Sequence, residues 1–315
     1  MSFKSILLGL SGSEQSKWAT EVAFEITGVT GGTVTAVHVI DTSTIWELLR
    51  NDKPGLIGSS CYVDAYQALS KIVRSIAHKL ADKYDAIARG RSIIGETIID
   101  QGNPITVISS RAKQFDLVVI GHQPACPGGS KERRSFIRYA IAEGLAHECP
   151  RPLLVVQRQV EPWESMTILV SMEHINYSWI ERCLDFADAL QLVPKVVALS
   201  SGIREESPEE FGKNLKQAVS RLENVSIEAH EMEGMAIDEN ASLSFSSEIR
   251  LDWYPDPLTL LVIGTRRSGD ERLTVFDTTP DLFVRNLGLP SILLYPEENS
   301  FQVQDEKSEA DLAVG

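Results

Sequence analysis

Residues 115–121, Phe-Asp-Leu-Val-Val-Ile-Gly, recur in altered form at 258–264 as Leu-Thr-Leu-Leu-Val-Ile-Gly. Each copy is followed by a loop, a helical stretch and a Pro-led apolar run, Pro152-Leu153-Leu154-Val155-Val156 in the first and Pro290-Ser291-Ile292-Leu293-Leu294 in the second. A strand, glycine loop, helix, strand unit repeated about 140 residues apart predicts two copies of one α/β domain. The spacing lies far above the roughly 20–50 residues of a solenoid repeat.

The apolar patterning agrees with that division. Ile6 to Leu10 is a continuous apolar run, Ser13 is placed to cap a helix carrying Trp18, Val22, Ala23 and Ile26 on one face, and Gly28 with Gly31-Gly32 is expected to stop it. Thr33 to Ile40 follows as a strand rich in β-branched residues. Runs of this kind alternating with helices predict a parallel sheet covered on both faces. The fold class is therefore α/β, two tandem doubly wound domains, each a five-stranded, mainly parallel sheet flanked by helices. A long helix is expected from about Val63 to Arg89, a third strand near Ser92 to Ile99, a helix over Ile105 to Gln114 and a fourth strand over Leu117 to Ile120. Residues 1–160 form the first predicted domain, with an insertion at 42–64 read as a lid, an interface element or a cap containing Trp46 and Cys61. Residues 165–296 form the second, with strands over Met166 to Ser171, Lys195 to Leu199 and Val225 to His230 and helices over Trp179 to Leu190 and Pro208 to Leu222. Residues 297–315 hold six acidic residues and one lysine and read as a disordered tail.

The net charge of −14 divides as +3 over residues 1–160 and −17 over 161–315, which argues against nonspecific nucleic-acid or anionic-membrane binding. The N-terminal apolar run is too short for a signal-peptide core or a membrane span, so a soluble, cytoplasmic protein is expected. Cys61, Cys126, Cys149 and Cys183 contain no CxxC pair, so the sequence predicts reduced structural thiols with neither a metal site nor a disulfide framework. There is no GxxxxGK[ST] and no GxGxxG opening a helix. His122 beside Gly121 lacks a serine or cysteine with a supporting carboxylate nearby in sequence, and His38 reads as a buried, hydrogen-bonded strand residue. Glu231 and Glu233, near His230 in the acidic half, read as surface carboxylates.

In an open parallel sheet a ligand sits beyond the carboxyl ends of the strands. The loops in question are Ser11-Gly12-Ser13, His38 to Asp41 and everything after Gly121. The order of Ser5 to Ser16, Val37-His38-Val39, Gln101-Gly102-Asn103-Pro104, Phe115 to Gly121 and Cys149 to Val156 resembles the universal stress protein family in a tandem form. That resemblance covers residues 1–158 well and 166–296 more loosely. It implies a Rossmann-like fold of the adenine nucleotide alpha hydrolase type and a role in stress response.

The resemblance also implies, for members that bind ATP, an acidic residue ending the first strand and a Gly-x2-Gly-x9-Gly-Ser/Thr phosphate loop. Here Ser11 stands at the acidic position, Pro124 at the second glycine and Tyr139-Ala140 at the Gly-Ser pair, leaving Gly121. The second half departs further, with Met172 or a neighbour at the acidic position and Gly264-Thr265-Arg266-Arg267. The candidate nucleotide residues are Leu10, Ser11, Val39, Gly121, Gln123, Gly128, Gly129, Ser130, Arg133 and Arg134, the last five as a compensating loop together with Lys131 and Arg138. No catalytic residue and no certain cofactor is assigned. The first functional reading is a non-enzymatic stress-response or regulatory protein with degenerate sites that acts through an unidentified protein partner. The alternative is an ATP- or AMP-binding sensor with slow ATP hydrolysis. A third, an α/β transferase or electron-transfer subunit, has no motif of its own. The final strands of the two halves, Val155-Val156 and Leu293-Leu294, are read as sheet edges that join the halves as an internal pseudo-dimer, with homo-oligomers beyond it.

Overall fold

The computed structural model of the chain describes residues 3–42, 60–123, 141–172, 177–200, 207–231, 257–274, 278–286 and 289–297. The first half runs β1 (Ser5–Gly9), α1 (Glu14–Thr30), β2 (Thr33–Ile40), α2 (Ser60–Gly90), β3 (Gly95–Gln101), α3 (Pro104–Ala112), β4 (Leu117–Gly121), α4 (Ile141–Glu148) and β5 (Leu153–Val156). The second runs β6 (Ser165–Ser171), α5 (Ser178–Ala189), β7 (Val193–Ser200), α6 (Pro208–Ala218), a 3-10 turn (Ser220–Asn224), β8 (Ser226–Glu231), β9 (Thr259–Ser268), β10 (Glu271–Thr274), α7 (Pro280–Asn286) and β11 (Ser291–Pro296).

Local chemistry sets the boundaries. The Ser13 side chain accepts the Ser16 amide and starts α1, while Gly31 ends it in the left-handed conformation at φ 64°. The helix therefore passes through Gly28, contrary to the expected stop, because Gly31 alone supplies the left-handed cap. Asn103 caps α3 by accepting the Ile105 and Thr106 amides, with Pro104 in its first turn. The helix expected over Pro208 to Leu222 is broken at Val219, whose extended backbone separates α6 from the 3-10 turn.

The strands form one sheet in the order β3-β2-β1-β4-β5-β11-β9-β6-β7-β8, with β10 paired to β9. All pairs are parallel except β10 with β9 and β5 with β11. The second half repeats the strand order of the first in reverse, and Leu153 to Val156 lie antiparallel to Leu294 to Ser291 at the junction. Val155, Val156, Leu293 and Leu294, read from sequence as edge residues, are fully interior because the two edges close on each other.

Successive residues of each strand feed opposite cores. Ile6 and Leu8 pack with α1, whereas Leu7 packs with Ile108 of α3 and Leu145 of α4. Both cores are continuous across the junction. One joins Phe3 and Phe24 to Trp179 and Phe186, and the other joins Leu145 and Val155 to Phe283 and Ile292. The Phe3 and Phe186 rings meet at 4.3 Å between centroids, tilted by 58°.

The sequence reading missed the β9–β10 hairpin. Gly269, at φ 60°, takes the first of two turn positions between Ser268 and Glu271, as a type II′ turn requires. The hairpin returns Arg272 to the junction. This fully enclosed guanidinium donates to the Thr265 hydroxyl and to the carbonyls of Ala146 and Cys149, at the carboxyl end of α4. Burial pushes its pKa down to about 10. The acidic end of the chain also begins later than expected, since Glu297 is partly buried and its amide donates to the Thr265 carbonyl. Residues 298–315 of the expected tail and 43–59 of the expected insertion, Trp46 included, lie outside the described residues. Residues 60–64 already belong to α2.

Shared cores predict that the halves unfold together. Differential scanning calorimetry should give one transition whose calorimetric and van't Hoff enthalpies agree. Leu154→Ala at the junction should lower its stability as a unit by about 2–5 kcal/mol, and two separable transitions would contradict the shared core.

Candidate functional site

The strand connections reverse between β1 and β4, and a cavity of about 240 Å³ opens at their carboxyl ends. Leu10 and Ser11 leave β1 along one wall, Val39 of β2 forms another, and Gly121, His122 and Gln123 leave β4 opposite them. Pro104 and Ile108 of α3 and Ile141 and Ala142 of α4 complete it. Leu10, Ser11, Val39, Gly121 and Gln123 of the predicted set thus surround one space. Gly128, Gly129, Ser130, Arg133 and Arg134 lie outside the described residues, as do Lys131, Arg138, Pro124, Tyr139, Ala140 and Cys126.

The described lining is apolar and without an aspartate, glutamate, lysine or arginine. Ser11 is engaged in starting α1. Its amide donates to Ser16 Oγ at 2.8 Å and its hydroxyl lies 3.0 Å from that of Ser13. A cap of this kind satisfies amides at the helix start and gives the strand end no charge.

Gly121 has a purely structural requirement. A Cβ there would fall 2.4 Å from the Gln15 carbonyl carbon and 2.5 Å from the Ser16 nitrogen, so α1 can cross the end of β4 only at a glycine. Gly264 is its counterpart on β9. A Cβ there would lie 2.7 Å from the Trp179 ring, which stacks on Tyr295 at 5.8 Å. The glycine shared by both sequence copies is thus accounted for by helix packing.

Two histidines supply most of the polarity. His38 Nδ1 is 2.9 Å from the Leu10 carbonyl, which accepts its proton and fixes the ring at the cavity wall. His122 is only 3% exposed, its amide donates to the Val156 carbonyl, and among the described residues Nε2 has no partner. Burial pushes its pKa below the ordinary value, opposed by nearby Glu143 and aided by Arg285. Sequence reasoning weighed His122 only as a base and could not foresee its neighbours, which come from α4 and from the other half.

Those neighbours form a charged seam between the halves. Arg285 of α7 donates to Glu143 of α4 at 2.7 Å and to Asp281 at 3.2 Å, and His147 Nε2 lies 2.9 Å from Asp281. Burial alone would raise the Asp281 pKa, but hydrogen bonds from His147 and Thr279 and the charge of Arg285 hold it below the usual value. Cys149 forms no disulfide and is buried, and burial pushes its thiol up to about 11. Cys183 is likewise unpaired and buried.

Among the described residues no group of three His, Cys, Asp or Glu side chains could hold a metal ion, and no helix is long and apolar enough to cross a membrane.

The model of the "Universal stress protein family" matches residues 2–157. A universal stress protein homologue from Staphylococcus haemolyticus (strain JCSC1435) is 23% identical over 167 residues, covering 51% of this chain and 89% of the homologue. The crystal structure of a universal stress protein from Archaeoglobus fulgidus DSM 4304 superposes with a TM-score of 0.58 at 15% identity, covering 94% of this chain and all of that one. A universal stress protein structure from Pseudomonas aeruginosa UCBPP-PA14 gives 0.54 at 13%, covering 98% of each chain. These last two likenesses concern the fold.

The depressed His122 pKa makes a signed prediction. An imidazole whose folded pKa lies below its unfolded value of 6.5 contributes stability that is present above that pH and lost as pH falls through the folded value. Asp281, depressed from 3.8, acts in the same direction only at stronger acid. As pH falls below about 6.5, His122→Gln should therefore lose less stability in denaturant unfolding than wild type does. The difference between the two cancels the opposite contribution of Glu297, whose pKa burial raises to about 7, and any later decline at stronger acid is left in place. An unchanged profile in the variant would show that His122 is not the group responsible. Gly121→Ala should destabilise by about 1–3 kcal/mol or more in the same assay, the usual range for overpacking.

Proposed function

From the premise that the chain belongs to the universal stress protein family through its first half, we propose that it is a regulatory protein whose nucleotide sites are degenerate and which acts by protein association. The observation that carries this reading is the end of β1. Ser11 replaces a carboxylate there and is held in the α1 cap, so the recognition group expected for an adenosine is missing from a cavity without formal charge among its described lining residues. Gly121 supports no contrary inference, because α1 requires it for packing. On this reading the first half occupies 1–160 and the second 165–296, the two work as an internal pseudo-dimer joined through β5 and β11, and whole chains associate further in the cytoplasm. Exposed Ile72 and Ile76 on α2, each more than half accessible, support an associating surface.

A second reading keeps an ATP or AMP sensor, with slow hydrolysis, in the same cavity. It is favoured by one observation, the buried Nε2 of His122, unpartnered among the described residues, in a residue that lines a largely apolar cavity together with Gln123. In that reading Gly128, Gly129, Ser130, Arg133 and Arg134 would receive the phosphates.

The two readings separate by ligand content. Freshly purified protein is denatured and its small molecules are analysed by mass spectrometry, then ATP, ADP and AMP are titrated calorimetrically into the stripped protein. The degenerate-site reading expects no stoichiometric nucleotide and no saturable heat. Co-purifying nucleotide, or micromolar binding lost in Arg133→Ala/Arg134→Ala, would replace it with the sensor. Ser11→Asp combined with Pro124→Gly, Tyr139→Gly and Ala140→Ser should create binding if these positions are what closes the site.

A further inference from the structure

A second cavity, of about 290 Å³, lies on the other face of β2, between the carboxyl ends of β2 and β3 and the first turns of α2. It is lined by Ile40, Thr42, Tyr66, Gln67, Ser70, Lys71, Arg74 and Gln101. Among the described residues no acidic side chain lines it. Arg74 donates to the Gln101 side-chain oxygen at 3.2 Å, and among the described residues neither Lys71 nor Arg74 takes part in an ion pair. Two carboxylates adjoin lining residues in sequence. Asp41, between Ile40 and Thr42, makes an interaction of its own that involves neither Lys71 nor Arg74. Asp100 belongs to the opposite face of β3 by the alternation of a strand, where Arg111 of α3 engages both its oxygens. Ser70 adds a hydroxyl that is buried and without a partner. Hydroxyls inside helices ordinarily bond back to a carbonyl one turn earlier, and a buried donor left unsatisfied calls for a specific cause.

We propose that this cavity is a binding site for a small dianion, a phosphate monoester or a dicarboxylate, held by Lys71 and Arg74 with Ser70, Thr42 and Gln101 as hydrogen-bonding groups. Two exposed cations one helix turn apart, without ion pairs among the described residues and beside hydroxyl and amide groups, form the donor set that such an anion needs. The Arg74–Gln101 bond holds the guanidinium against the strand end, so the cationic head is positioned before a ligand arrives. The cavity lies on the α2 face of the sheet, opposite the one described above, and the proposal does not depend on nucleotide binding there.

The test is calorimetric titration of the full chain at constant ionic strength, with inorganic phosphate in one arm and succinate in the other. Saturable one-to-one binding of phosphate assigns the phosphoryl ligand, and binding of succinate alone assigns the dicarboxylate. Either affinity should fall at least tenfold in Lys71→Gln/Arg74→Gln and several-fold in Ser70→Ala, with the ligand-free thermal midpoint unchanged. Should the double variant fold poorly, Lys71→Gln alone must still weaken binding, since its head is exposed. No saturable heat in either arm, or an affinity unmoved by these substitutions, overturns the site.

Discussion

Antiparallel pairing of β5 with β11 satisfies the backbone groups that each half would otherwise present along an apolar edge. The residues on that edge, Leu153 to Val156 and Ser291 to Leu294, are almost wholly buried on both faces, which neither half could achieve alone. Each large aliphatic side chain buried there contributes about 1.5–3 kcal/mol. Because the pairing is antiparallel, a twofold relation between the halves follows, and with it the mirrored strand order and the meeting of α4 with α7. The Glu143–Arg285–Asp281–His147 seam depends on that meeting. The environment of His122, and so the character of the cavity beside it, is partly set by residues of the opposite half.

Gly121 and Gly264 show how packing can preserve a residue that looks functional. In both halves a helix crosses the strand closely at this glycine, and the atoms in the way differ: backbone of α1 in one, the Trp179 ring in the other. A motif glycine is therefore weak evidence for a phosphate when the same position must admit a helix. A charged group would be stronger evidence for a phosphate there, and the described lining holds none.

The parallel sheet and both helical layers were legible because continuous apolar runs flanked by caps such as Ser13 and Asn103 leave few alternatives to a parallel sheet. The grouping of Leu10, Ser11, Val39, Gly121 and Gln123 was legible for the same reason, since topology alone brings the ends of β1, β2 and β4 together. Three features were not. The β9–β10 hairpin hides in Arg266 to Thr274, where Gly269-Asp270 marks a turn but charged residues mask the strand pattern. The continuation of α1 past Gly28 reflects tertiary burial overriding a weak local preference. The charged seam joins residues more than a hundred positions apart, and nothing local predicts which arginine meets which carboxylate.

The hairpin also explains why the halves differ. Beyond β4 the first half leaves the sheet at His122 and Gln123, and a cavity remains at the strand ends. Beyond the equivalent glycine the second half continues the strand to Ser268 and turns back, which brings Arg272 to the carbonyls of Ala146 and Cys149. A buried guanidinium is tolerable only where its donors are met, and the carboxyl end of α4 offers unsatisfied carbonyls with the right polarity. The segment that follows the strand glycine in the second half is thus committed to holding the first half in place. One copy of the duplicated unit retains an open strand end, and the other uses the same stretch of chain as a clasp.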